Sequence, residues 1–224
     1  MGHPNPFEYG RELGLSELVD REDELALIRA TIRNRGKLFL IGPRRFGKTS
    51  LLSAAGEEAA AEGAVVLRID AEKFESLERL AAGLLAAATR ALKGPLERAV
   101  DAVRTAAGTL RPVFSIDGES LTVRLGIDPA AEPLPVLTGA LDAVERLAAN
   151  HGEPVAVILD EVQAVVVEHG LQAERQLRST VQRHRHTAYV FAGSDTRLMG
   201  EMTGDPDRPF YRLGERLFLG ALPR

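Results

Sequence analysis

Five short apolar runs punctuate this chain, at 37–41, 64–70, 154–159, 188–192 and 216–219, and polar or turn-forming residues close each one. Their apolar side chains fall on consecutive positions, without the strict alternation of a strand that faces water on one side. Such runs fit strands buried on both faces. Between them the period changes. Asp20-Arg21-Glu22-Asp23 opens a helix with acidic residues in its first turn, and Leu25, Ile28 and Ile32 recur at helical spacing until Gly36 closes it. Thr49 to Ala61, 75–92, Pro95 to Ala107, 135–149 and 171–184 read as further helices. Strands alternating with helices predict a parallel sheet covered on both faces, and right-handed crossovers make it a three-layer α/β domain. One stretch breaks the alternation. Val113 to Ile116, Asp117-Gly118 and Leu121 to Leu125 read as a β-hairpin, part of an insertion at about 93–130. Residues 1–18, with Pro4, Pro6, Gly10 and Gly14, read as an extended arm before a domain over 19–224.

Composition narrows the field. The chain has 224 residues, of which 45% are apolar and 27% charged, enough for one folded domain with a full core and too apolar for a disordered segment. Cysteine is absent, which excludes disulfides, thiolate metal sites and thiol redox chemistry. A net charge of −4 gives no global attraction to nucleic acid or acidic membranes. No stretch approaches the roughly 20 apolar residues that span a bilayer, and Met1 to Phe7 does not read as a signal peptide, so the cytoplasm is the expected location.

The chemistry begins where the first apolar run ends. Gly42-Pro43-Arg44-Arg45-Phe46-Gly47-Lys48-Thr49 fits G-x-x-x-x-G-K-[ST], between a predicted strand and a predicted helix. That context suits a phosphate-binding loop. Glycines let the backbone approach the anion, and the first N–H groups of the helix, through Ser50, point at it. Lys48 can reach the β- and γ-phosphates as a point charge, and the Thr49 hydroxyl suits Mg2+. Arg44 and Arg45 occupy variable positions and read either as added positive charge or as solvated side chains.

Asp160-Glu161 follows the third apolar run, where an open α/β sheet presents residues to its ligand crevice. Asp160 is placed to hold the Mg2+ water shell and Glu161 to act as general base on a water. The alternative is a pair of acids that merely caps the next helix. Ser194, after the fourth run, can bond the γ-phosphate or the attacking water, while Asp195 can cap the helix that follows. Gln163 reads equally as a water-orienting amide or as an exposed residue in a first helical turn. Arg197, Arg208 and Arg212 are candidates for an arginine that stabilises charge at the γ-phosphate, each alternatively a surface arginine. Asn-Lys-x-Asp is absent, which favours adenine over guanine. Arg175, Arg178, Arg183 and Arg185, with His184 and His186, read as a solvated helix face more readily than as a nucleic-acid contact, because aromatic stacking residues are missing there.

Taken together, Gly42 to Leu52, Leu159-Asp160-Glu161-Val162-Gln163, Phe191-Ala192-Gly193-Ser194 and Pro209-Phe210-Tyr211-Arg212 resemble the archaeal-type ATPases, prokaryotic proteins grouped with the AAA+ and STAND P-loop ATPases. Val19-Asp20-Arg21-Glu22 is similar to the N-terminal motif of that family, which lies near the adenine, with Asp20 standing where the family usually has glycine. The resemblance implies a central parallel sheet of strand order 5-1-4-3-2, Arg21 in the nucleotide site, and a helical lid after the fifth strand. The chain stops at Leu222-Pro223-Arg224, so the lid and its phosphate-sensing arginine are expected to be absent and turnover to be slow. The implied activity is ATP hydrolysis with Mg2+, coupled to conformational change. A nucleotide-dependent interaction switch is the alternative, and a small-molecule kinase a further one. A protein partner or a second copy is expected, with nucleic acid unsupported by the net charge.

Overall fold

The computed structural model describes residues 20–92, 110–117, 120–127 and 133–220. The predicted arm at 1–18 and the predicted helix from Pro95 to Ala107 lie outside the described residues. Seven strands and six longer helices are described: α1 (Glu22–Arg33), β1 (Lys37–Ile41), α2 (Lys48–Ala61), β2 (Val65–Asp70), α3 (Leu77–Ala91), β3 (Leu110–Asp117), β4 (Ser120–Ile127), α4 (Pro133–Ala149), β5 (Val155–Asp160), α5 (Gln163–Val181), β6 (Thr187–Gly193), α6 (Thr196–Gly204) and β7 (Glu215–Phe218). The main sheet has the order β2-β5-β6-β1-β7, and every described pairing in it is parallel. This is the predicted 5-1-4-3-2 order read from its other edge. The predicted hairpin is also present, as β3 and β4 paired antiparallel in a separate two-stranded sheet.

Side-chain alternation divides the core between two faces. Leu38 and Leu40 of β1 join Ile28 and Ile32 of α1 and Leu51, Leu52, Ala55 and Ala59 of α2. Phe39 and Ile41 point the other way, into a larger cluster with α3, α4, α5 and α6. β5 and β6 are buried at every position, as their uninterrupted apolar runs require. Several helical alanines are buried in the core, among them Ala81 and Ala88 of α3 and Ala140 and Ala143 of α4. Phe210, from the segment before β7, enters the larger cluster, with its ring 5.4 Å from Phe39 and 5.9 Å from Phe191.

Local signals explain the helix boundaries. Ser76 caps α3 by accepting from the Arg79 N–H at 3.3 Å, and Asp195 caps α6 by accepting from the Leu198 N–H at 2.9 Å. Asp20 has φ of 55°, the left-handed conformation that makes glycine usual at this place in the resembling motif.

Two expectations need correction. The helix expected over 171–184 starts earlier, at Gln163, bends at Gly170 (φ 63°, ψ −157°) and ends at Val181. Three successive valines and the glycine hid its first turns. The basic stretch is not simply a solvated face either. Arg178 donates to the Pro209 and Tyr211 carbonyls, the latter at 2.7 Å. His184 is buried, with its ring nitrogens 2.6 Å from the Tyr189 hydroxyl and 2.8 Å from Asp142 Oδ1. Among the described residues no helix is long and apolar enough to cross a membrane.

Candidate functional site

The loop between β1 and α2 is built by backbone geometry. Gly47 caps α2 with φ of 81°, and Arg45 has φ of 67°, so the chain reverses through left-handed positions just before the helix. Gly42 serves a different purpose. A Cβ there would lie 2.8 Å from Leu219 Cβ and 3.0 Å from its carbonyl oxygen. Only glycine lets the base of the loop pass this close to the residue after β7, whose N–H donates to the Ile41 carbonyl at 2.7 Å. Pro43, Arg44, Arg45 and Phe46 form an exposed tip, while Gly47 and Thr49 are half-buried and Ser50 is buried.

Lys48 is buried, and its Nζ donates to the Pro43 carbonyl at 3.0 Å. Burial pushes its ammonium below the ordinary lysine range, against the opposing pull of the Glu161 and Asp160 carboxylates. The lysine therefore curls back into its own loop, within the field of the acidic pair.

Those acids stand at the end of β5. Asp160 is buried and pairs in register with Asp70 at the end of β2. Burial raises its pKa, the charges of Glu161 and Asp70 raise it further, and Arg68 opposes them. Its Oδ1 accepts from the Glu161 N–H at 3.0 Å. Glu161 has φ of 51°, a strained conformation for a residue with a Cβ, of the kind that collects at functional sites. Its Oε2 accepts from Gln163 Nε2 at 2.6 Å and from the Ser194 N–H at 2.9 Å. Burial disfavours the Glu161 carboxylate, yet the hydrogen bonds from Gln163 and Ser194, with the Lys48 charge, outweigh it and hold the pKa below the usual glutamate value.

The structure thus brings Lys48, Asp160, Glu161 and Ser194 to the C-terminal ends of three neighbouring strands, β1, β5 and β6. Arg44 is exposed but paired: its Nη2 is 2.9 Å from Glu72 Oε1 and its Nε is 3.4 Å from Ser194 Oγ. Glu72 was not among the sequence candidates, and nothing in its local pattern singles it out. Gln163 is buried, contrary to the exposed reading. Arg21 is buried before α1 and donates at 2.7 Å to both Glu24 Oε1 and the Gly220 carbonyl, so it braces the chain just beyond β7.

The arginine candidates make contacts of their own. Arg197 pairs with Glu201 at 3.1 Å within α6, and Arg212 sits 5.1 Å over the Tyr211 ring. Arg208 pairs with the fully buried Glu174 of α5.

A model of the AAA domain family matches residues 31–198, which include the loop, the acidic pair and Ser194. The chain belongs to the AAA domain family. This bears out the motif resemblance at the level of the AAA+ P-loop ATPases. Membership of this family supports nucleotide binding by the chain. Among solved structures, a Walker-type ATPase of Pyrococcus abyssi aligns with a TM-score of 0.58 and 18% identity, over 96% of this chain and 57% of that one. The ORC1 protein of Aeropyrum pernix, in complex with DNA, aligns with a TM-score of 0.56 and 13% identity, over 91% of this chain and 46% of that one. At these identities the likeness is one of fold, and the chain spans about half the length of each. No curated protein matches the chain.

Proposed function

We propose that this AAA domain binds ATP with Mg2+ on residues 42–50, hydrolyses it to ADP and phosphate, and changes conformation as it does so. The observation that carries this reading is the approach of the lysine-bearing loop to an acidic pair whose second member is held ionised. On this reading the loop N–H groups and Lys48 grip the phosphates, with Lys48 exchanging the Pro43 carbonyl for phosphate oxygens. Arg21, on the β7 side of the loop, borders the base. The Thr49 hydroxyl and the Asp160 carboxylate form an oxygen donor set that suits Mg2+, and the burial that disfavours a bare Asp160 charge is what a dication would relieve. When bound, Mg2+ supplies neutralisation of phosphate charge. Glu161 takes the proton of the attacking water, and Ser194 orients that water or the γ-phosphate.

Two substitutions test the reading. Lys48→Ala should abolish ATP binding in calorimetry. Glu161→Gln should keep binding and lose phosphate release. Equal ATP affinity in wild type and Lys48→Ala refutes the proposal.

One observation favours a slower reading, a nucleotide-dependent switch that barely hydrolyses. Arg208 is closed on the buried Glu174, so this candidate is withheld from a γ-phosphate. Phosphate release no faster than the Glu161→Gln control at saturating ATP would select the switch. A protein partner or a second copy fits either reading, with the cytoplasm as its setting. A nucleic-acid role for residues 175–186 gains little support, because Arg178 and His184 are spent on internal contacts.

A further inference from the structure

Gln163, two residues beyond the proposed base, is buried at the first position of α5. Its Nε2 donates to Glu161 Oε2 at 2.6 Å and reaches Ser194 Oγ at 3.5 Å. Its Oε1 is buried with no hydrogen-bond partner among the described residues. A lone buried carbonyl costs stability, and turning the amide over would bring that oxygen against a carboxylate oxygen. The orientation is therefore set by Glu161. The slot that holds the amide is equally specific. A Cβ on Gly193 would lie 2.4 Å from Gln163 Oε1 and 2.7 Å from Met199 Cγ and Sδ. The missing side chain at the end of β6 is what admits the amide, and α6 closes the slot through Met199.

We infer that Gln163 is a positioning residue, which with the Ser194 N–H clamps Oε2 of Glu161 and leaves Oε1 to receive the proton from water. This rests on the hydrolytic reading above. Both anchors fall on the same oxygen. A carboxylate pinned through one oxygen keeps a fixed direction for the other, which is the requirement for a general base. Gln163 also ties the end of β5 to the end of β6, so a ligand contact at Ser194 is felt at Glu161 through one amide. The backbone supports the same junction, with the Val162 N–H donating to the Ala192 carbonyl at 2.9 Å.

The test compares Gln163→Leu, which keeps the bulk and removes the amide, in the wild-type and Glu161→Gln backgrounds. Phosphate release at saturating ATP and calorimetric ATP affinity are measured for all four proteins, and KM for the two with Glu161 intact. The expected result is a fall in kcat of at least about tenfold, with KM and affinity unchanged, because the contact acts on the base and not on the nucleotide. In the Glu161→Gln background, where release is already lost, ATP affinity is the readout, and Gln163→Leu should leave it unchanged, since its effect passes through the carboxylate. Gln163→Met repeats the comparison should the leucine variant fail to fold. A kcat within about twofold of wild type, or a fall in ATP affinity in either background that matches the fall in kcat, overturns the inference. Wild-type release no faster than Glu161→Gln overturns the hydrolytic reading itself, and the two failures are told apart by which pair of proteins agrees.

Discussion

Replacement of Arg208 by alanine separates a structural arginine from a phosphate-sensing one. Arg208 is 20% exposed in its side chain, and its guanidinium meets both oxygens of Glu174, with Nε 3.2 Å from Oε2. Glu174 is 0% exposed. Burial pushes its carboxyl up, and Arg208 opposes that push. Arg208→Ala therefore strands a buried carboxylate, which typically costs about 3–5 kcal/mol. For a chain of this length each kcal/mol lowers the melting temperature by roughly 2–4 °C, so the expected fall is roughly 6–20 °C. The loss should also depend on pH. A folded-state pKa raised above the unfolded value means stability is lost as pH rises, so the deficit is largest at neutral pH and shrinks as acid protonates Glu174. Thermal melting at pH 7 and pH 5 reads both effects. Arg208→Met combined with Glu174→Leu should recover most of the stability, because an apolar pair of similar volume needs no charge partner. A variant that melts within about 2 °C of wild type while phosphate release collapses would refute this and return Arg208 to the nucleotide.

Two further outcomes follow from the site. Asp160→Asn should melt higher than wild type at neutral pH without Mg2+, since burial, Glu161 and Asp70 all disfavour the aspartate charge. The gap should close as pH falls through the raised pKa towards the ordinary carboxylate range and be gone below it, and MgATP should stabilise wild type more than the variant; a lower melting point for the metal-free variant would count against the crowding described here. Gly42→Ala should lose about 1–3 kcal/mol by forcing β1 away from Leu219, measured by urea unfolding, and an unchanged midpoint would show that the close approach is dispensable.

The sheet was legible because parallel strands covered on both faces must be apolar at consecutive positions, and β5 and β6 carry that demand without interruption. The loop was legible for a different reason. Two of its requirements fall on single residues, Gly47 for a left-handed turn and Lys48 for charge, and are written locally. Helix caps such as Asp195 share this property. The close approach at Gly42, by contrast, is to the distant Leu219, where the sequence suggested only an approach to the anion.

What escaped the sequence depends on partners far along the chain. An arginine before β7 looks the same whether it faces solvent or closes on Glu174, which lies 34 positions away. His184 sits among arginines, yet it is buried because Tyr189 and Asp142 receive its ring. The segment from Arg208 to Arg212 illustrates the consequence. Its Pro-Phe-Tyr-Arg string lies outside the residues matched to the AAA domain family, and most of its described contacts face inward: Phe210 enters the aromatic cluster, Arg178 holds the Pro209 and Tyr211 carbonyls, and Arg208 closes on Glu174. A string that resembles a motif can thus mark a segment that is held still as readily as one that touches a ligand. Here it fixes the approach to β7, whose far end, through Leu219 and Gly220, braces both Gly42 and Arg21. The loop between β1 and α2 is thus shaped from behind by a residue that follows the last strand of the sheet.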